Sequence, residues 1–168
     1  MRRSLKNKLY SSHLPLLNLL FKKFKIRNIL EFGMGNFSTV FFRERGFDKL
    51  FSVETGKRWA EKFIDDKPDN HFIISYEKKD LYMIDIMEKF DLCFVDGNPA
   101  ESRIRCINNN ILKSNILVLH DSESPKIKLN NIILPDGYTR FDYIKVLPNT
   151  SLIIKDELID NEIIDFFK

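Results

Sequence analysis

The chain has 168 residues, enough for one domain that buries roughly 70% of its unfolded surface and too few for two independent domains. Hydrophobic residues make up 43% and charged residues 30% of the sequence, which excludes a disordered chain. No apolar run reaches the roughly 18 to 20 residues that span a bilayer, and two cysteines, Cys93 and Cys106, cannot make a disulfide framework. We therefore expect a single cytoplasmic domain over residues 1–168 with no transmembrane segment.

The net charge of +3 is unevenly distributed along the chain. Eight of the 27 basic residues precede the first acidic residue, Glu31, so 19 basic residues face 24 acidic ones in the remainder. Residues 1–27 form a basic leader that could contact nucleic acid or an anionic surface. A solvated helix carries the same charges, and we favour that interpretation.

The leader predicts an amphipathic helix rather than a secretion signal. Its apolar stretch, residues 14–21, is short and is followed at once by lysines, with no small-residue cleavage site. Ser11 or Ser12 is available as the N-cap, and Pro15 is tolerated in the first turn. The apolar residues at helical spacing are Leu17, Leu20, Phe21 and Phe24.

Downstream, apolar strand-like segments alternate with helical ones. The predicted strands cover residues 28–32, 49–54, 71–76, 90–96 and 115–120, and the intervening helices cover 38–45, 58–64, 81–88 and 102–112. This rhythm predicts a parallel sheet covered on both faces, with ligands outside the carboxyl ends of its strands.

The last third of the chain breaks the rhythm. Residues 138–147 and 151–155 are strand-like and are separated by only three residues, which predicts an antiparallel hairpin. Residues 157–167 then predict a closing acidic helix.

A glycine-containing motif, ILEFGMGNFSTV at residues 29–40, follows the first predicted strand. Gly33 and Gly35 allow a ligand to approach the main chain closely. The next helix opens near Ser38 and directs its unpaired N–H groups toward the same place, which favours an anionic group. A tight turn with no ligand is the alternative explanation of the glycines.

The second predicted strand ends in a carboxylate, Glu54, that lies 21 residues after Gly33. A carboxylate at this position can accept hydrogen bonds from both hydroxyls of a ribose. Together the two signals indicate a nucleoside cofactor.

Four segments carry a resemblance to a known family: EFGMGNFST, SVETGKRW, FDLCFVDG and LVLHD. As a set, over about residues 12–155, they resemble the class I S-adenosylmethionine-dependent methyltransferases. The third glycine of a dinucleotide fingerprint is replaced by Ser38. The resemblance implies an α/β, three-layer, Rossmann-like, seven-stranded and mostly parallel sheet with a C-terminal antiparallel hairpin.

The resemblance also implies a cofactor, S-adenosyl-L-methionine, and roles for individual residues. Glu31 would face its cationic methionine end, Glu54 its ribose, and Ser38 and Thr39 its carboxylate, while the two glycines would line its backbone side. Asp80 would take the adenine amino group, with a plain surface aspartate as the alternative. The implied cofactor-binding residues are Glu31, Gly33, Gly35, Ser38, Thr39, Glu54 and Asp80.

Three residues at the ends of the fourth and fifth predicted strands are the catalytic candidates: Asp96, His120 and Asp121. A carboxylate or imidazole there can act as base toward a hydroxyl substrate. Asp96 and Asp121 also match two positions that bind a divalent cation in the metal-dependent O-methyltransferases of this family. A clear third ligand is missing, so a magnesium ion stays open.

We expect the function to be methylation of a hydroxyl on a small molecule or saccharide. Arg103 and Arg105 could recognise an anionic substrate or form the solvated face of a helix. Two other classes stay in view: a nicotinamide-dependent oxidoreductase, because it shares the Glu54 spacing, and a non-catalytic nucleoside-binding scaffold.

Overall fold

A computed structural model describes residues 11–75 and 86–168 of the chain. Within these ranges the chain forms five α-helices and seven strands. The helices are α1 (Leu14–Lys23), α2 (Ser38–Arg45), α3 (Lys57–Ile64), α4 (Arg103–Asn110) and α5 (Asn161–Phe167). The strands are β1 (Asn28–Phe32), β2 (Lys49–Glu54), β3 (His71–Ser75), β4 (Phe90–Val95), β5 (Ser114–His120), β6 (Tyr138–Tyr143) and β7 (Thr150–Lys155).

The strands form one seven-stranded sheet in the order β3-β2-β1-β4-β5-β7-β6. Strands β1 to β5 are parallel, whereas β7 pairs antiparallel with both β5 and β6. The predicted sheet and its antiparallel end are therefore confirmed. The strand order reverses between β1 and β4, and ligands of open α/β sheets bind outside the carboxyl ends of the strands at such a point.

Helices cover both faces of the sheet, because the central strands are apolar on both sides. On one face, α1 and α2 pack against the sheet through Leu17, Leu20 and Phe42. On the other face, Ile104 and Ile107 of α4 pack against β1, β4 and β5. The predicted three-layer arrangement is confirmed.

The N-cap prediction for the leader helix is wrong. Helix α1 is capped by His13, which makes no side-chain cap hydrogen bond, and Pro15 lies in the first turn as expected. The hydroxyl of Ser12 is directed elsewhere: it bonds to the carbonyl of Pro148 and contacts the ring of His120. A long-range polar contact therefore replaces the local cap.

Two element ends also differ from the sequence prediction. Strand β6 stops at Tyr143, so the connection to β7 is longer than the three residues expected. The closing helix starts only at Asn161, because the side chain of Asp160 caps it by accepting from the N–H of Ile163.

Some predictions fall on residues that the structure does not describe. Asp80 and most of the predicted helix at 81–88 lie outside the described residues, and residues 86–88 are not helical. Among the described helices, none is long and apolar enough to cross a membrane.

Candidate active site

The turn after β1 passes against the turn after β4. Gly33 has φ +90°, and a Cβ added there would lie 2.6 Å from the N and Cα atoms of Gly97. Only glycine combines this conformation with this approach. The N–H of Gly33 donates to Val53 (2.8 Å) and the N–H of Asp96 donates to Phe32 (2.8 Å), so the ends of β1, β2 and β4 form one continuous edge.

Glu54 lies beside this glycine turn, at the end of β2. Its side chain is buried, and its carboxylate accepts the backbone N–H of Met34 on Oε2 (2.7 Å) and of Gly56 on Oε1 (2.6 Å). Each oxygen keeps a further lone pair. The structure therefore brings together the two residues on which the nucleoside expectation depends, and leaves the carboxylate able to accept hydroxyl donors.

Glu31 is fully buried one residue before the end of β1. Thr39 donates to its Oε1 (2.9 Å) and Ser52 to its Oε2 (2.6 Å). Burial raises the pKa of Glu31 to about 7, although the hydroxyls of Ser52, Ser38 and Thr39 favour the ionised form. Because Thr39 also accepts the N–H of Gly35 (3.0 Å), the carboxylate holds the start of α2 against the glycine turn.

A hydrogen-bonded chain supports Glu31 from the far side. Arg43 donates from Nε to Nδ1 of His71 (3.2 Å), so the ring proton is on Nε2, which lies 2.9 Å from Oγ of Ser52. Burial, with the positive charges of Arg43 and Lys67, lowers the pKa of His71 to about 4. The neutral ring therefore orients the Ser52 hydroxyl toward Glu31. No local motif in the sequence indicated this chain.

Three catalytic candidates meet at the ends of β4 and β5. Nδ1 of His120 lies 3.2 Å from Oδ2 of Asp96 and 3.6 Å from Oδ1 of Asp121. Asp121 adopts φ 53°, a conformation that non-glycine residues rarely take. The predicted grouping of these side chains at one rim is present in the structure.

Arg103 is buried against this cluster, so the interpretation of its side chain as a solvated helix face is wrong. Its guanidinium lies 3.0 Å from Oδ1 of Asp96 and 3.3 Å from Oδ2 of Asp121. It also donates to the carbonyls of Gly97 (2.8 Å) and His120 (2.8 Å). Both carboxylates are thus held by a fixed cation, whereas Arg105 two residues later is exposed.

The pKa of Asp96 reflects these neighbours. Burial alone would raise it, but the contact with His120 and the charges of His120 and Arg103 outweigh burial and lower the pKa. The carboxylate therefore stays ionised.

The same cluster resembles a divalent-cation site in its residue types but not in its surroundings. Asp96, His120 and Asp121 each offer one possible ligand atom, and these three atoms lie within 4.8 Å of one another. Octahedral Mg²⁺ needs six ligands, mostly oxygens, and Arg103 already takes one oxygen of each carboxylate. The donor set therefore does not fit a magnesium site.

Ser12 fixes the ring of His120, and sequence reasoning missed it. Its single hydroxyl proton is donated to the carbonyl of Pro148 (2.8 Å), so Oγ accepts the proton on Nε2 of His120 at 2.9 Å. Nδ1 of His120 lies 3.2 Å from Oδ2 of Asp96, so each ring nitrogen faces an acceptor. The leader therefore orients the ring of His120.

His13 is the second residue that the sequence did not indicate. Its ring centroid lies 4.6 Å from that of His120 and 5.0 Å from that of Phe94. The side chain is 2% exposed, and neither ring nitrogen has a hydrogen-bond partner among residues 11–75 and 86–168. Burial, followed by the charge of His120, lowers the pKa of His13 to about 3. The ring is neutral.

Comparisons with known proteins support the fold at low sequence identity. No family model matches the chain, and no curated protein sequence matches it. Among solved structures, an O-methyltransferase from Bacillus cereus in complex with S-adenosylhomocysteine is 15% identical, with a TM-score of 0.63 over 83% of this chain and 79% of that chain.

Two further solved structures are similar to most of this chain. The O-methyltransferase TomG from Streptomyces achromogenes, in complex with S-adenosylmethionine, is 17% identical, with a TM-score of 0.61 over 83% of this chain and 78% of that chain. An rRNA methylase from Streptococcus thermophilus is 14% identical, with a TM-score of 0.58 over 82% and 92%. The chain has the fold of the class I S-adenosylmethionine-dependent methyltransferases.

Proposed function

We propose that the protein is an S-adenosylmethionine-dependent methyltransferase that methylates a hydroxyl oxygen of a small molecule or saccharide. The observation that carries the proposal is the contact between the glycine turn of β1 and Glu54 at the end of β2. This arrangement provides backbone access for one part of a cofactor and a carboxylate for ribose hydroxyls.

The residues at this edge fit that cofactor. Gly33 lets the turn after β1 pack against Gly97, and Gly35 leaves the main chain open to the cofactor. Glu54 accepts its ribose hydroxyls on the remaining lone pairs. Glu31 acts through Thr39, because its buried carboxylate fixes the start of α2. When bound, S-adenosylmethionine supplies an activated methyl carbon for in-line displacement.

The remaining requirement is to align the acceptor hydroxyl and remove its proton. Alignment can supply roughly 7–11 kcal/mol of the barrier. A carboxylate is the base in this proposal, because Oδ1 of Asp121 lies 3.6 Å from Nδ1 of His120, beyond hydrogen-bonding distance, and the side chain is 36% exposed. Asp96 contacts the ring of His120, and Arg103 keeps both carboxylates in place.

The contacts of the basic leader support a small acceptor over nucleic acid. In α1, Lys23 forms ion pairs with Asp160 and Glu162, and Lys22 contacts Glu162 at 3.6 Å. Part of the leader charge is therefore balanced within the protein by the acidic end of the chain. A nucleic-acid acceptor would need that charge to face outward.

Calorimetry with two ligands tests the proposal. We expect the protein to bind S-adenosylhomocysteine and not NADH, and we expect Glu54→Gln to weaken the former at least tenfold because the ribose loses a charged acceptor. Glu61→Gln is the matched control, since Glu61 lies on the exposed side of α3. Tight binding of NADH without binding of S-adenosylhomocysteine would replace the proposal with an oxidoreductase.

A further inference from the structure

We propose that Trp59 belongs to the cofactor site and that its indole ring packs against the nucleoside part of the bound cofactor. This inference rests on the proposed function, because it takes the ribose to lie at Glu54. It adds an aromatic residue to a site otherwise built from glycines, hydroxyls and carboxylates.

Trp59 lies beside the Glu54 carboxylate, with Gly56 between them. Both side chains approach the position that a Cβ on Gly56 would occupy: Oε1 of Glu54 lies 3.1 Å from it and Cδ1 of the indole lies 3.4 Å from it. The two atoms are therefore no further apart than these two distances together. The same Oε1 accepts the N–H of Gly56 (2.6 Å), and the N–H of Trp59 donates to the carbonyl of Gly56 (2.8 Å). The first turn of α3 thus fixes the indole next to the proposed ribose acceptor.

Lys62 holds the indole in place while leaving it accessible. Nζ of Lys62 lies 5.2 Å from the centroid of the Trp59 ring and donates to Oδ1 of Asn36 in the glycine turn. This bridge joins α3 to the turn after β1, the two elements whose backbone N–H groups bind the Glu54 carboxylate. Trp59 is nevertheless 40% exposed, so a ligand at this edge can reach its ring.

The chemistry of an indole suits a nucleoside. Its large apolar face packs well against flat aromatic groups, and bases stack on aromatic side chains in many nucleic-acid complexes. Glu54 holds the ribose in the proposed function, and the base is attached directly to that sugar, within reach of a ring beside the carboxylate. A cation–π contact with the sulfonium is the alternative role of an exposed indole. S-adenosylhomocysteine separates the two roles, because its thioether carries no charge.

Nuclear Overhauser effects test the contact directly, since the chain contains a single tryptophan and its indole signals are unambiguous. The protein is saturated with S-adenosylhomocysteine, and calorimetry on the same sample establishes that the ligand binds. We expect intermolecular effects between the indole protons of Trp59 and the ribose or adenine protons of the ligand. Such effects arise only at short range, so a residue with a purely structural role would not show them.

Three variants measure what the contact contributes. Trp59→Ala should weaken binding of S-adenosylhomocysteine by roughly fivefold or more, whereas Trp59→Phe keeps an aromatic ring and should stay within about twofold of wild type. Ile64→Ala is the matched control, since Ile64 is 49% exposed on the same helix, and it should leave the affinity unchanged.

The inference is overturned if S-adenosylhomocysteine binds but the indole protons of Trp59 show no effects to the nucleoside. It is equally overturned if Trp59→Ala binds the ligand within about twofold of wild type. Failure of S-adenosylhomocysteine to bind the wild-type protein would instead contradict the proposed function, and this inference with it.

Discussion

Replacing Arg103 by alanine tests whether a fixed guanidinium holds the carboxylates of the candidate active site. The side chain is 6% exposed and contacts Asp96, Asp121 and the carbonyls of Gly97 and His120. Its removal leaves two carboxylates near each other without a compensating charge. It also leaves the carbonyls of Asp96, Gly97 and His120 without this donor.

The expected loss in the free energy of unfolding depends on how deeply Asp96 and Asp121, the partners of Arg103, are buried. Removing one member of a buried ion pair costs about 3–5 kcal/mol. The side chains of Asp96 and Asp121 are 30% and 36% exposed, so solvent screens part of the charge, and we expect Arg103→Ala to cost about 2–4 kcal/mol. For a chain of this size, that lowers the Tm by roughly 4–16 °C.

Urea unfolding at pH 7 and below pH 4 measures this effect, with Arg105→Ala as the control on the exposed face of the same helix. The lowered pKa of Asp96 contributes stability above its unfolded pKa, and that contribution is lost as the pH falls through the folded pKa. The gap between wild type and Arg103→Ala should therefore narrow in acid. A loss below 1 kcal/mol at pH 7, or an equal loss in Arg105→Ala, would refute the reasoning.

Three further outcomes are expected. Gly33→Ala should lower the free energy of unfolding in urea by about 2–4 kcal/mol, from left-handed strain and the clash with Gly97; an unchanged midpoint would contradict this. The raised pKa of Glu31 contributes stability that is fully present below the ordinary carboxyl pKa of 4.5 and is lost as the pH rises through about 7. Relative to wild type, Glu31→Gln should therefore gain up to about 3 kcal/mol between pH 4 and pH 8 in urea titrations; a constant difference would oppose it. Ser12→Ala should shift the Nε2 signal of His120 in ¹⁵N NMR, because Nε2 loses its acceptor, and Ser12→Thr should not; an unchanged Nε2 signal in Ser12→Ala would show that Ser12 makes no bond to the ring.

The sequence was sufficient to predict a strand or helix where a buried apolar run forms it and a glycine marks its end. The bounds of β1, α2 and β2 agree with the prediction, because a buried parallel strand needs a continuous apolar run and the adjoining turns contain Gly33 and Gly46. The antiparallel end was also predictable from two strand-like segments close in sequence. Where β6 ends was not, because Ile144 and Leu147 continue the apolar pattern yet lie exposed.

Site residues that lie at the end of a strand could be predicted from the sequence. Site residues that come from a distant part of the chain could not. Glu54, Asp96 and His120 were found because parallel strands bring their carboxyl ends to one edge. Ser12 reaches His120 across 108 positions of sequence, and no local pattern reports such a contact. Arg103 resembled a solvated helical residue, but α4 turns it toward the ends of β4 and β5.

The central claim is that a nucleoside cofactor binds at the ends of β1 and β2, and a crystal structure with S-adenosylhomocysteine tests it most directly. We expect both ribose hydroxyls to lie within hydrogen-bonding distance of Glu54 and the sulfur to be directed toward Asp96 and His120. A ligand bound elsewhere, with the Glu54 carboxylate contacting only Met34 and Gly56, would contradict it.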